Sequence, residues 1–178
     1  MSKHQDLPCV FRYSTPNGFD NLLLRFDGEA LTELWFEYSH DEDKHQQDIV
    51  EICHEVSLPP VLEETCRWLD LYFCGRQPNF TPKYRIENLT PFRKEVSEIM
   101  CQIPFGKTVT YGEIAAAIAK KQGIEKMSAQ AVGGAVGWNP ICLIVPCHRV
   151  IGANGSLTGY GGGLHNKIAL LRLEGHDI

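Results

Sequence analysis

The chain has 178 residues, 43% apolar and 22% charged, which is the composition of a folded protein of one large or two small domains and excludes wholesale disorder. No stretch approaches the ~18 consecutive apolar residues of a spanning helix, and residues 1–14 lack the apolar core of a secretion signal, so a cytoplasmic location off the membrane is expected. The net charge of -5 is uneven, because residues 1–88 carry 8 Lys+Arg against 16 Asp+Glu while residues 89–178 carry 9 against 6, and an anionic partner is expected on the second half.

Val10-Phe11-Arg12-Tyr13, Asn21 to Phe26 and Leu31 to Tyr38 are short aromatic and aliphatic runs. Thr15-Pro16-Asn17-Gly18 and Phe26-Asp27-Gly28 separate them as turn signals, and together they predict an antiparallel meander. Asp41 to His45 is a charged loop. After Pro59-Pro60, apolar residues at 61, 62, 65, 68, 69, 72 and 73 follow helical spacing, and Cys74-Gly75 closes that helix with a glycine cap. Residues 75–88, with Gly75, Pro78, Asn79, Pro82 and Asn88, read as an extended linker.

Thr90-Pro91 opens the next helix as N-cap and first helical residue. Phe92, Val96, Ile99 and Met100 form its inward stripe, and Ile103 to Lys107 breaks it. Thr110 caps a helix over Tyr111 to Lys121, with Ile114, Ala115 and Ile118 inward. Ser128 caps another over Ala129 to Val136, which ends at Gly137 with Asn139-Pro140 as the stop. Two short helices joined by a turn resemble a helix-turn-helix. Gly133 and Gly134 in the second cost about 1 kcal/mol each relative to alanine. Close helix packing and close approach to a foreign backbone such as DNA are both open for them. Leu143-Ile144-Val145 is a short buried run, Gly152 to Gly163 a glycine-rich loop with Asn154-Gly155 as a tight turn, and Lys167 to Leu173 a closing helix.

Seven cysteines is an odd number, so at least one thiol is free, and a cytosolic setting keeps all of them reduced. No C-x-x-C pair occurs, and Cys53-His54 with Cys66 and Cys74 do not make a convincing zinc set, so no metal is expected. The densest chemistry lies in Pro146-Cys147-His148-Arg149-Val150. A thiol attacks as thiolate, and with an ordinary pKa of about 8.5 it needs a base or a cation beside it. On an extended segment Cys147 and His148 would point to opposite faces. A bridging water, or a turn at Pro146, would allow proton relay. Glu174 is the group available to orient the histidine. In the glycine-rich loop the backbone can approach a flat ligand, with Tyr160 to stack on it; a plain surface loop fits the same residues.

The run Ile144-Val145-Pro146-Cys147-His148-Arg149-Val150, with Gly152, Asn154-Gly155 and Tyr160-Gly161-Gly162-Gly163 behind it, strongly resembles the active-site signature of the O6-alkylguanine-DNA alkyltransferases. Thr90-Pro91-Phe92, Ile103 to Ala115, Ala131 to Ala135 with Asn139-Pro140, and Leu170-Leu171 with Glu174-Gly175 match that family in order and spacing. The resemblance covers residues 89–178 almost continuously. Trp68 to Phe73 with Phe80-Thr81-Pro82 fits more weakly, and the first ~65 residues are family-like only in size and strand content.

The resemblance implies an amino-terminal α/β domain resembling a ribonuclease H-like sheet over 1–88, linker included. It implies a helical domain with a winged helix-turn-helix over 89–178. It also implies direct-reversal DNA repair without a cofactor. The protein, acting as a monomer, would bind the minor groove of duplex DNA and rotate an alkylated guanine out of the stack, with O4-alkylthymine as a further substrate. The alkyl group would pass irreversibly to Cys147, once per molecule. His148 resembles the base that takes the thiol proton through a water, with Glu174 orienting it. Tyr111 resembles the donor to guanine N3 that also crowds the phosphate, and Asn139 the brace of the active-site turn. The carbonyls of Val145 and Cys147 would accept from the guanine amino group. Tyr160, Gly161 and Gly162 would close over the base. Ser128, Ala129, Gln130, Ala131, Gly133, Gly134 and Arg149 would meet DNA, small residues suiting a groove ~6 Å wide.

Two positions depart from the family pattern. Gln130 stands where many members carry an intercalating arginine, which implies weaker binding or slower flipping. Gly161 stands where some carry serine, which implies a roomier pocket. Retention of Cys147 argues against the non-catalytic subgroup, in which the acceptor cysteine is replaced. A damage-sensing DNA module, a Cys-His-Glu hydrolase and a small redox or structural protein are the competing readings. An unreactive thiol marks the first of these and turnover of an acyl substrate the second.

Overall fold

A computed structural model describes residues 10–39 and 58–178. The expected meander is present. β1 (Val10–Tyr13), β2 (Leu22–Phe26) and β3 (Leu31–Phe36) form an antiparallel sheet in the order β1-β2-β3. The third strand stops two residues short of the expected end because Tyr38 turns into a left-handed conformation (φ 59) with its ring 75% exposed. The charged loop at 41–45, and with it Cys53 and His54 of the weighed zinc set, lies outside the described residues.

Helix α1 (Pro60–Phe73) buries all seven residues of the expected stripe, and Gly75 (φ 73) follows its C-cap in the left-handed conformation that favours glycine. The 75–88 segment is irregular, with bends at 79–80 and 87–88, and it pairs with β3 once. There Leu31 donates its N–H to the Lys83 carbonyl and accepts from the Arg85 N–H, both at 2.9 Å. Helix α2 (Pro91–Cys101) is capped by Thr90, whose hydroxyl accepts from the Arg93 N–H.

Helix α3 (Tyr111–Gln122) begins with a reciprocal capping box. The Thr110 hydroxyl accepts from the Glu113 N–H, and the Glu113 carboxylate accepts from the Thr110 N–H. Helix α4 (Ala129–Gly137) is capped by Ser128. Helix α5 (Leu164–Leu173) starts three residues earlier than its apolar spacing indicates, because Gly163 (φ 87) turns the chain in and the Asn166 amide ties back to the Gly162 carbonyl at 2.7 Å.

Two short pairings set the Cys147 segment in place. Parallel strands β4 (Val109–Thr110) and β5 (Val150–Ile151) join the start of α3 to the residues just after Cys147-His148-Arg149. The N–H of Leu34 donates to the Pro140 carbonyl, and the Leu34 carbonyl accepts from the Cys142 N–H, which ties β3 to the segment entering the site. A large core results, with a second, smaller cluster of Val10, Leu23 and Trp35. The large core runs from Leu22, Leu24 and Phe36 through Tyr72 and Met100 to Val145 and Leu170. Among the described residues, no helix is long and apolar enough to cross a membrane.

Candidate active site

All ten residues from Ile141 to Val150 are buried. From Cys142 to Pro146 their backbone is neither helix nor sheet, so its polar groups need other partners. The chain closes on itself instead. The Ile144 N–H donates to the Cys142 carbonyl across Leu143, which holds φ 66, and the Cys147 N–H donates to the Val145 carbonyl across Pro146. These are consecutive three-residue turns. A buried leucine with positive φ costs of order 1 kcal/mol and persists only where its surroundings impose it.

Asn139 supplies that constraint. Its Nδ2 donates to the carbonyls of Ile141 (3.2 Å) and Val145 (2.9 Å), and its Oδ1 accepts from the Ile141 N–H. The same Nδ2 lies 3.1 Å from the Cys147 Sγ, so the brace of the turn also touches the thiol. Burial raises the Cys147 pKa above its ordinary value; the Asn139 N–H, the charge of Lys167 and the Tyr160 hydroxyl pull against that rise. The resting group is therefore a thiol at neutral pH, and its activation requires a base.

Cys147-His148-Arg149 is a turn of 3-10 helix rather than an extended run, as the alternative of a turn at Pro146 allows. His148 thereby enters the core, fully buried, while Cys147 faces a cavity. The His148 Nε2 lies 2.8 Å from Glu174 Oε1, and its Nδ1 has no hydrogen-bond partner. Burial lowers the His148 pKa, with Arg149 and Lys167 in the same direction and Glu174 opposing. A neutral ring that donates its Nε2–H to Glu174 leaves Nδ1 as a bare acceptor.

Glu174 is the most heavily engaged side chain in the site. It accepts from Arg149 Nε and a terminal guanidinium nitrogen (2.9–3.1 Å), from the Gly106 N–H (3.0 Å) and from the Tyr72 hydroxyl (2.7 Å). Burial would raise its pKa, but the bonds and charges of His148 and Arg149 outweigh that and hold it at about 2. It is therefore a carboxylate at neutral pH.

The cavity at Cys147 has a volume of about 760 Å³ and is open on one side, within the range of small-ligand pockets. Tyr111, the first residue of α3, forms one wall. Its hydroxyl lies 3.4 Å from the Thr158 carbonyl, and burial followed by proximity to Cys147 raises its pKa, so it stays a donor. Thr158 to Gly162 form a second wall. The Tyr160 hydroxyl is buried toward the Cys147 thiol and makes no well-formed hydrogen bond. Gly162 is required by crowding, since a Cβ there would lie 2.7 Å from both Phe36 and the Tyr160 ring. Ala129, Gln130 and Gly133 of α4 form the rim.

The structure brings together Cys147, His148, Glu174, Tyr111, Asn139, Val145 and the Tyr160–Gly162 loop. Ser128, Ala129, Gln130, Ala131 and Gly134 are exposed along α4. The two readings of the paired glycines divide between them: a methyl on Gly133 would touch the Tyr111 ring at 3.8 Å, whereas Gly134 opens to solvent. The Val145 carbonyl accepts from both the Asn139 Nδ2 and the Cys147 N–H, and the Cys147 carbonyl accepts from the Val150 N–H. Arg149 requires correction as a surface residue. It is 6% exposed, with its guanidinium on Glu174 and on the Ile103 carbonyl (2.7 Å), so it cannot also meet a phosphate at the surface.

Two buried groups escaped the sequence reading. Tyr72 counted only as an apolar position of α1. Lys167 is fully buried, donates to the Val150 carbonyl at 2.7 Å and bears on Cys147 by charge. A lysine at an inward position of a helix was the signal available for it.

A family model described as 6-O-methylguanine DNA methyltransferase, DNA binding domain, matches residues 91–176. A methylated-DNA–protein-cysteine methyltransferase of Methanosarcina mazei is 40% identical over 157 residues, 88% of this chain and 92% of its own length. One from Methanosarcina acetivorans is 52% identical over 112 residues, 63% and 68% of the two chains. Among solved structures, Mycobacterium tuberculosis OGT, crystallised in complex with DNA, superposes with a TM-score of 0.74 at 35% identity over 93% of this chain and 92% of that one. With likeness of this extent in both sequence and α/β fold, the chain belongs to the methylated-DNA–protein-cysteine methyltransferase family.

Proposed function

We propose that this protein repairs duplex DNA by moving an alkyl group from O6-alkylguanine, and from O4-alkylthymine, to Cys147, irreversibly and once per molecule. The observation that carries the reading is a thiol facing an open cavity, beside a buried histidine whose Nδ1 is bare and whose Nε2 is held by a carboxylate. A water bridging Nδ1 and the thiol would let that arrangement supply a base. The thiol proton then moves to His148, the imidazolium is stabilised by Glu174, and the Sγ–carbon bond forms as the carbon–O6 bond breaks. Tyr111 donates to guanine N3 as charge develops on the ring. The Val145 and Cys147 carbonyls accept from the guanine amino group, and the Tyr160-Gly161-Gly162 loop closes over the base.

On this reading residues 89–178 form the winged helix-turn-helix domain, with α4 in the minor groove through Ser128, Ala129, Gln130, Ala131, Gly133 and Gly134. Small exposed side chains there support it. Residues 1–88 form the ribonuclease H-like domain with its linker. The protein works as a cytoplasmic monomer without a cofactor. The test is the intact mass of the protein after incubation with a duplex carrying one O6-methylguanine, beside Cys147→Ala. One methyl group per molecule, absent from the variant, is the expected result. Lesion-selective binding without a mass change would replace repair by damage sensing.

A further inference from the structure

Tyr72 lies on α1, far along the chain from the Cys147 segment, yet it is fully buried against the histidine–carboxylate pair. Its hydroxyl donates to Glu174 Oε1 at 2.7 Å and lies 3.1 Å from His148 Nε2. Glu174 Oε1 is itself 2.8 Å from that same nitrogen, so the three polar atoms form a closed triangle. The ring is fixed independently of the hydroxyl. It stacks on Trp68 at 5.3 Å between centroids and meets Phe73, Phe105 and His148 edge-on. Burial and then the Glu174 charge raise the Tyr72 pKa well above its ordinary value, so the phenol keeps its proton and acts as donor.

We propose that Tyr72 is a positioning residue for alkyl transfer, a hydroxyl contributed by α1 that fixes which nitrogen of His148 carries the proton and limits how basic that ring becomes. A phenol that donates to Glu174 offers only its lone pairs to Nε2. Nε2 must therefore be the protonated nitrogen, and Nδ1 the base. The phenol also competes with the imidazole for the charge of Oε1. A hydrogen bond to a carboxylate is stronger than a neutral one, so withdrawing the hydroxyl leaves more of that charge for the imidazolium and makes His148 more basic. The charged groups facing His148 are Glu174, Arg149 and Lys167. Arg149 and Gly106 still hold the carboxylate when the phenol is gone. The inference rests on the alkyl-transfer reading for its rate effects but not for its effect on the histidine.

The test uses the full chain with 15N-labelled histidine, His148 being assigned from a His148→Asn spectrum. Wild type should show protonated Nε2 and bare Nδ1. Tyr72→Phe should raise the titration midpoint of His148 by about half a unit to one unit, the equivalent of one hydrogen bond. Single-turnover methyl transfer should slow by about threefold to tenfold with duplex affinity unchanged, since a base free to tilt loses part of its contribution. Fluorotyrosine incorporated at position 72 keeps the shape but is a stronger donor, and it should move the midpoint down. Opposite shifts from the two changes support the proposal. A wild-type midpoint in Tyr72→Phe, or shifts of the same sign in both, overturns it. Should Tyr72→Phe not fold, the fluorinated protein decides alone: a midpoint that moves down supports the proposal, and one that does not move overturns it. A wild-type protein that transfers no methyl group would sink the repair reading while leaving the titration result to stand.

Discussion

Residues 141–150 and residues 128–134 both border the Cys147 cavity, and they are built on opposite terms. The first segment is buried without interruption, makes tight backbone turns, and is held by Asn139, Arg149, Glu174 and Lys167. The second is a regular helix, capped by Ser128, whose residues are mostly small and exposed. Chemistry at Cys147 depends on atoms held to within a fraction of an ångström, so its segment is over-determined. On the proposed reading the second segment receives DNA, and a surface that receives a polymer needs clearance, so its helix carries little. Substitutions in the first segment should therefore act on stability and rate together, and those in the second on affinity alone.

The largest effect is expected at Glu174. Glu174→Gln strands the buried Arg149 guanidinium without a counter-charge, which should cost about 3–5 kcal/mol and lower the melting temperature accordingly. The pH dependence provides a second reading. Glu174 is held at about 2 in the folded protein, so its contribution is present above the ordinary carboxylate range and lost as pH falls toward 2. His148, whose folded pKa is depressed, loses stability in the same direction, as pH falls below its unfolded value. Acid melting curves of wild type and Glu174→Gln should converge. Curves that remain parallel would mean that the carboxylate is not what holds the segment.

Asn139→Ala comes next. It removes the donor to two carbonyls and the thiol and leaves the Ile141 N–H unpaired, for an expected loss of about 1–3 kcal/mol by denaturant titration. Methyl transfer should slow as well, because the turn carrying Leu143 at positive φ loses its brace. Stability lost without any change in rate would separate the turn from the chemistry.

Gln130→Arg should have the smallest effect on the fold and the clearest on DNA. Gln130 is exposed at the N-terminal end of α4, so thermal stability should be unchanged. Duplex affinity at low salt should rise roughly threefold, with a steeper salt dependence from the added charge. A change in melting temperature with no change in affinity would reverse the roles assigned to the two segments.

Much of this was legible in the residues. The stripe of α1, the caps Thr90, Thr110 and Ser128, and the strands of the meander follow from spacing and local hydrogen-bonding chemistry, which operate within a few residues. The grouping of Cys147, His148, Glu174, Tyr111 and Asn139 came from the family signature, since spacing alone left the Cys-His dipeptide ambiguous. Where local spacing misled, the cause was a local backbone event, such as the positive φ of Tyr38 that shortens β3 or of Gly163 that starts α5 early.

What only the tertiary structure decided are the long-range polar contacts. Arg149 faces inward because the 3-10 turn and the β4–β5 pairing direct it to Glu174, although the family resemblance implied a DNA contact for it. Lys167 is buried because the Val150 carbonyl lies within its reach. Tyr72 is an apolar position by periodicity and a polar partner of the histidine–glutamate pair by packing. The sequence by itself determined which residues are apolar, which cap a helix and which thiol stands in the signature. It could not determine where a buried proton goes. That depends on a few ångströms between atoms brought together from α1, the Cys147 turn and the end of α5, and such distances are set by how helices and sheet pack, not by the order of residues along any one of them.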